Sequence, residues 1–249
     1  MRLYLSGRTA IEGEGALLDQ RALGGRQGRL ALAYLTLERR PVPREELAAV
    51  LWPGEIPESW DAALSAVVSK LRTALRKVGL AASGIRSELG CYELVLPIST
   101  WVDVNEAIDS LHAAEAADRS GSWRDIWGTA GVAYQITQRV FLPGEEGPWV
   151  ERQRRLLGSI HLRATEFMAQ VSLRNGEPAI AIALAEELLA VEPFRETGYQ
   201  ILMRAHMQLG NRAEALQAYE RCKRLLAEEL GADPSPETQS VHLELLTTR

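Results

Sequence analysis

DAALSAVVSKLRTALRKV, residues 61–78, is the stretch whose reading decides the fold. At about 100° per residue, Val67, Val68, Leu71, Leu75 and Val78 fall within roughly 60° of Leu64, a narrow apolar stripe that predicts an amphipathic helix. The opposite arc carries Ala62, Ala66, Ser69, Lys70, Thr73, Arg76 and Lys77. Small side chains let such a helix sink toward the base edges of a duplex, where hydroxyls hydrogen-bond and cations reach phosphates or guanine. A basic solvent face is also what any amphipathic helix can show, so the neighbouring segments carry the decision.

On the N-terminal side, residues 26–38 (RQGRLALAYLTLE) predict a helix with Leu30, Ala33, Tyr34 and Leu37 inward. Pro41 and Pro43 end it and open a second helix reaching Trp52, with Glu45 and Glu46 suited to the positive end of its dipole. Pro53, Gly54 and Pro57 force a loop before residue 61. On the C-terminal side, residues 85–96 with Gly90 near the middle read as a β-hairpin. The first residues alternate, with Leu3 and Leu5 on one face, and Gly13 and Gly15 divide short strands that Leu17, Leu18 and Leu23 continue. Strands, three helices and a closing hairpin describe a winged helix-turn-helix over residues 1–98.

Residues 99–249 read as helical throughout, over 103–117, 123–139, 149–174, 178–191, 195–209, 212–230 and 237–247. Gly176 and Gly210 stand 34 residues apart, and Ala179 and Ala181 after the first match Ala213 and Ala215 after the second. That is the tetratricopeptide period, whose units bury their faces by stacking. The fold class is therefore mainly α, with an N-terminal α+β winged helix-turn-helix followed by an all-α tetratricopeptide-like domain. A chain of 249 residues is long for one domain and short for three, with about 150 residues per domain as a soft guide, so two domains are expected.

The net charge of −5 conceals an asymmetry: residues 1–98 hold 13 Lys and Arg against 11 Asp and Glu, and the rest 15 against 22. A mildly basic head precedes an acidic body. Two distant cysteines, Cys91 and Cys222, fit a reducing compartment, and because the N-terminus shows no apolar core of about 7 residues and no uninterrupted apolar run reaches about 18, neither a leader nor a membrane span is expected. The cytoplasm is the expected location.

Two stretches resemble a known family. LALAYLTLERRPVPREELAAVLW (residues 30–52) and ALSAVVSKLRTAL (63–75) are similar to the OmpR-type winged helix that heads SARP-type bacterial transcriptional regulators. FLPG at 141–144 and PFRETGYQILMRAHMQLGNRAEALQAYERCKRLLAEELGADPSPET at 193–238 resemble the bacterial transcriptional activation domain that follows it. The resemblance implies that the third helix enters the major groove of double-stranded DNA and the wing touches the backbone or minor groove. The matching positions are Ser65, Ser69, Lys70, Arg72, Thr73, Arg76 and Lys77 on the helix and Arg86 in the wing. It also implies that the 53–60 loop can face RNA polymerase, making Glu55 and Glu58 candidate contacts. Two departures stand out. Glu88 and Glu93 occupy a wing where a basic residue is usual, and carboxylates are unfavourable beside phosphates. Ala107 stands where an aromatic residue is common.

No catalytic constellation is present. His112, His161, His206 and His242 are dispersed, so no metal is expected, and Gly24-Gly25-Arg26-Gln27-Gly28 lacks the Lys-Ser/Thr of a phosphate loop. Neither a receiver domain ahead of the winged helix nor a cofactor is expected. The six tryptophans are expected at helix ends and junctions, packed against neighbours. The functional expectation is a transcriptional activator, not an enzyme, that binds promoter direct repeats as a homodimer and recruits polymerase. The alternative is a tetratricopeptide-like adaptor with a degenerate winged helix.

Overall fold

The computed structural model describes residues 1–81 and 84–247. They form two compact units: residues 1–107 with 136–158, and residues 108–135 with those from 159 onward. The sequence boundary at 98/99 follows a change of composition, whereas packing places residues 99–107 and 136–158 with the head.

The first unit opens with β1 (Arg2–Tyr4), β2 (Ala10–Gly13) and β3 (Ala16–Leu18), paired antiparallel with Leu3 opposite Ile11 and Ile11 opposite Leu18. Helix α1 (Gly25–Glu38) follows, then β4 (Val42–Pro43), α2 (Arg44–Leu51) and α3 (Trp60–Arg76). The hairpin β5 (Ile85–Glu88) and β6 (Cys91–Leu94) completes the wing, and β4 joins it in the order β4-β6-β5. Reading Pro41 and Pro43 as helix punctuation overlooked β4; Pro43 fits because β4 lies at the sheet edge, where an absent N–H costs no ladder bond.

A second correction concerns the region expected to be helical throughout. Trp101–Val102 forms β7, which pairs parallel with β1, Arg2 opposite Trp101. Asp103, the next residue, is buried and accepts the backbone N–H groups of Leu5 and Ser6 on Oδ2 at 2.7 and 2.9 Å, and that of Val104 on Oδ1 at 2.8 Å. Burial pushes its carboxyl above the ordinary range, opposed by those hydrogen bonds.

The apolar stripe of α3 lies where the periodicity places it: Leu64, Val68, Leu71, Leu75 and Val78 are buried and Val67 is half-buried. Helix α3 packs against α1 and α2, whose Leu30, Ala33, Leu47 and Leu51 are also buried. The helix stops in a Schellman turn: Gly79 is left-handed (φ +83°), Leu80 N–H donates to the Leu75 carbonyl at 3.1 Å and Gly79 N–H to that of Arg76 at 3.3 Å. Leu80 is buried behind it.

The 138–147 stretch docks on the same unit. Leu142 N–H donates to the Leu5 carbonyl at 2.9 Å, and Trp149 packs edge-on against Tyr34 and Phe141 at 5.0 and 5.7 Å. The Glu145 side chain is fully buried between two arginines of α1. Arg29 donates through Nε at 2.9 Å and through Nη2 to Oε1, while Oε2 lacks a well-aligned hydrogen bond and is met by Arg26 Nε at 3.1 Å. Of the six tryptophans only Trp149 is buried; the other five are partly or largely exposed, less covered than expected.

The second unit holds parts of α4 (Asp103–Ser120), α5 (Trp123–Thr137) and α6 (Pro148–Arg174), then α7 (Pro178–Val191), α8 (Glu196–Gln208), α9 (Arg212–Leu230) and α10 (Pro236–Thr247). The 34-residue repeat is realised in backbone geometry. Gly176 and Gly210 are left-handed at φ +75° and +74°, and Glu177 N–H to Ser172 O and Asn211 N–H to His206 O are both 2.9 Å. Ala181 and Ala215, one turn later, are fully buried at helix contacts, whereas Ala179 and Ala213 are exposed. The head and the helical repeats are thus the expected fold class.

Candidate nucleic-acid interface

The arc of α3 opposite its core stripe is open. Ala62, Ser65, Ala66, Ser69, Lys70, Thr73, Arg76 and Lys77 are all exposed. Within it Thr73 Oγ1 donates to the Ser69 carbonyl at 3.0 Å and Arg76 Nη2 donates to Thr73 Oγ1 at 3.1 Å. Lys70 and Lys77 form no ion pair among the described residues, so their charges are available to an external anion.

Arg72 differs from its neighbours. It is half-buried on the wing side of the helix, and its Nε and Nη2 both donate to the Ile85 carbonyl, at 3.1 and 2.8 Å. Its guanidinium therefore fastens the start of β5 to α3. Arg86 is exposed on β5 and faces Glu93 across the hairpin at 4.0 Å.

Sequence reasoning missed Arg44, at the first position of α2. Its guanidinium donates to Asp61 Oδ1 at 2.9 and 2.5 Å, to Ser65 Oγ at 2.9 Å and to the Tyr92 hydroxyl at 2.6 Å. It also lies 5.1 Å from the Tyr92 ring centre, with Arg72 at 6.0 Å from the same ring. One arginine thus joins the starts of α2 and α3 to the wing, and Ser65 is engaged within the protein. No periodic signal marks Arg44, because its partners lie 17 to 48 residues away.

The wing tip is a two-residue turn, Leu89-Gly90, with φ of +49° and +75° and Glu88 opposite Cys91. Positive φ at both positions gives the twist a tight hairpin needs. Leucine is rare in that conformation, and Leu89 is fully exposed. Glu55, Ile56 and Glu58 in the loop before α3 are also exposed.

Among the described residues no group of three or more His, Cys, Asp or Glu side chains is arranged to hold a metal, and no helix is long and apolar enough to cross a membrane. Cys91 and Cys222 are unpaired. The geometry offers hydrogen-bond donors and cations on a convex helix face beside a hairpin, an arrangement for binding a polyanion.

Comparison with known proteins gives the same direction. The bacterial transcriptional activator domain matches residues 102–246. The chain is 34% identical over 226 residues to the regulatory protein AfsR of Streptomyces coelicolor, covering 90% of this chain and 22% of AfsR. It is 25% identical over 227 residues to the transcriptional regulatory protein MoaR1 of Mycobacterium tuberculosis, covering 90% of this chain and 73% of MoaR1. The solved structure of Mycobacterium tuberculosis EmbR in complex with a low affinity phosphopeptide superposes with a TM-score of 0.82 at 25% identity, over 98% of this chain and 64% of that one. The chain spans about a fifth of the length of AfsR. With the match covering more than half its residues, and with regulators of the SARP type among its relatives, the chain belongs to the bacterial transcriptional activator domain family.

Proposed function

We infer that the chain is a sequence-specific, DNA-binding transcriptional activator, with residues 1–98 reading the promoter and residues 99–249 serving activation. The observation that carries this reading is the two-faced helix α3: its leucines and valines are buried, while Ser69, Lys70, Thr73, Arg76 and Lys77 are exposed. Regulatory names among the relatives support it.

A single winged helix covers on the order of 600–1,000 Å², too little for strong discrimination. A homodimer on direct repeats spaced by about one helical turn, or a multiple of it, supplies the remainder. The proposed contact for RNA polymerase is the 53–60 loop, a reading supported by the exposure of Glu55, Ile56 and Glu58. The protein acts in the cytoplasm as a binding protein and not as an enzyme.

The test is genomic footprinting with the purified chain, followed by gel-shift titration of the recovered sites. A motif repeated at helical-turn spacing, lost with Arg76→Ala, is the expected result. Pull-down of a protein partner with no DNA retained at low salt would replace this reading with that of an adaptor.

A further inference from the structure

We propose that the helical unit holds a binding site for a small amphipathic acid, a molecule with one carboxylate or phosphate group on an apolar body. The site is a cleft of about 650 Å³ walled by the end of α4, the start of α5, the end of α6, α8 and α10, a volume within the range of small-molecule pockets.

Its polar wall carries two guanidinium groups, of Arg174 and Arg204, and two carboxylates, of Asp118 and Glu244. Arg174 lies over the Trp123 ring, and Arg204 has no ion-pair or hydrogen-bond partner among the described residues. Burial holds the Arg174 guanidinium below its ordinary range, opposed by Asp118, with a smaller contribution from neighbouring Arg204. An arriving anion can take the planar forked donors of both groups.

Thr197 also lines the cleft, and its Oγ1 is buried without a hydrogen-bond partner. Such a group ordinarily finds one, and a second polar atom on the ligand would supply it. The amide nitrogens of Gln200 and Gln208 are spent on Thr238 Oγ1 at 2.9 Å and the Leu173 carbonyl at 3.1 Å, so both side chains are fixed in the wall. Leu173, Ile201 and Met207 give the apolar surface. An Arg204 guanidinium without a partner among the described residues, the Arg174 guanidinium, an orphaned hydroxyl and an apolar surface fit an acid with a hydrophobic body.

Calorimetric titration of the full chain, without DNA, tests the proposal independently of promoter binding. The probes are 4-phenylbutyrate, its neutral amide, inorganic phosphate and a short peptide ending in a carboxylate. The expected result is saturable binding of 4-phenylbutyrate, weaker binding of phosphate and none of the amide. Arg204→Gln, at an exposed position, should weaken binding at least about ten-fold, the effect of one charge-assisted hydrogen bond. Thr197→Val should weaken it too while leaving the thermal midpoint of the free protein unchanged or raised, since an unpaired hydroxyl is removed. Absence of binding, equal binding of acid and amide, phosphate binding as tightly as the acid, or indifference to Arg204→Gln overturns the proposal. Tighter binding of the peptide would assign the cleft to a protein segment and overturn it as well.

Discussion

Arg72 of α3 gives two of its donors to one acceptor, the carbonyl oxygen of Ile85 at the base of the wing. It therefore positions the wing, and the expected effect of its loss on DNA binding passes through the hairpin. Arg72→Ala should cost about 1.5–3 kcal/mol, the range for hydrogen bonds to charged groups. Hydrogen exchange of the β5 and β6 amides should accelerate, and DNA affinity should fall with little change in salt slope. A slope reduced as much as in Arg76→Ala would show Arg72 on a phosphate instead.

Lys70, Arg76 and Lys77 are the exposed cations of α3. Each alanine variant at a phosphate contact should lower the salt dependence of binding by about one unit, uniformly across sequences. A variant that relaxes preference at one base position instead marks a residue reading a base edge. Gel-shift titrations over a salt series separate the two.

Glu145 is a fully buried carboxylate between Arg26 and Arg29. Removing its charge leaves two cations facing each other at the docked 138–147 stretch. Glu145→Gln should destabilise the protein by about 3 kcal/mol, as when one partner of a buried pair is deleted. Urea unfolding monitored through Trp149, which packs nearby on Tyr34, reads the loss.

Two glycines should respond oppositely to alanine. A Cβ on Gly28 would lie 1.8 Å from the Leu23 carbonyl oxygen, so Gly28→Ala must shift backbone at a cost of about 1–3 kcal/mol. Gly158, inside α6, is exposed with nothing within 4 Å of such a Cβ. Gly158→Ala should stabilise by about 0.5–1 kcal/mol through helix propensity. Thermal midpoints of the two variants should move in opposite directions.

Asp103 gives a pH dependence whose sign follows from its raised carboxyl. Between its ordinary value in the unfolded chain and its raised value in the fold, the folded state holds more protons. Stability from this group is therefore greatest at the acid side and declines as pH rises through that window. Asp103→Asn should lack this decline, although it loses part of the hydrogen-bonding to Leu5, Ser6 and Val104. Thermal midpoints of both proteins across the acid range check the difference.

Much of the fold is legible because it rests on local periodicity. Leu64, Val68, Leu71 and Leu75 recur at helical spacing and need no knowledge of their partners to be assigned inward. Gly176 and Gly210 mark equivalent turns because a left-handed residue after a helix favours glycine wherever the chain places it. The open arc of α3 follows from the same angular argument, since what one face buries the other exposes.

What the sequence alone settled is which face of α3 is apolar and, to within a few residues, where the helices end, for both depend on residues within one or two turns. The middle of α1, by contrast, is buried on every side, with Leu32, Leu35 and Thr36 covered as well as Leu30, Ala33 and Tyr34. Tertiary structure decided the rest: that Trp101–Val102 joins β1 as a strand, that Arg72 and Arg44 are committed to the wing, and that Glu145 is buried between arginines of α1. Those roles come from partners up to about a hundred residues away. A long polar side chain reads the same in sequence whether it faces solvent or closes a contact, and only the packed fold shows which acceptor its donors meet.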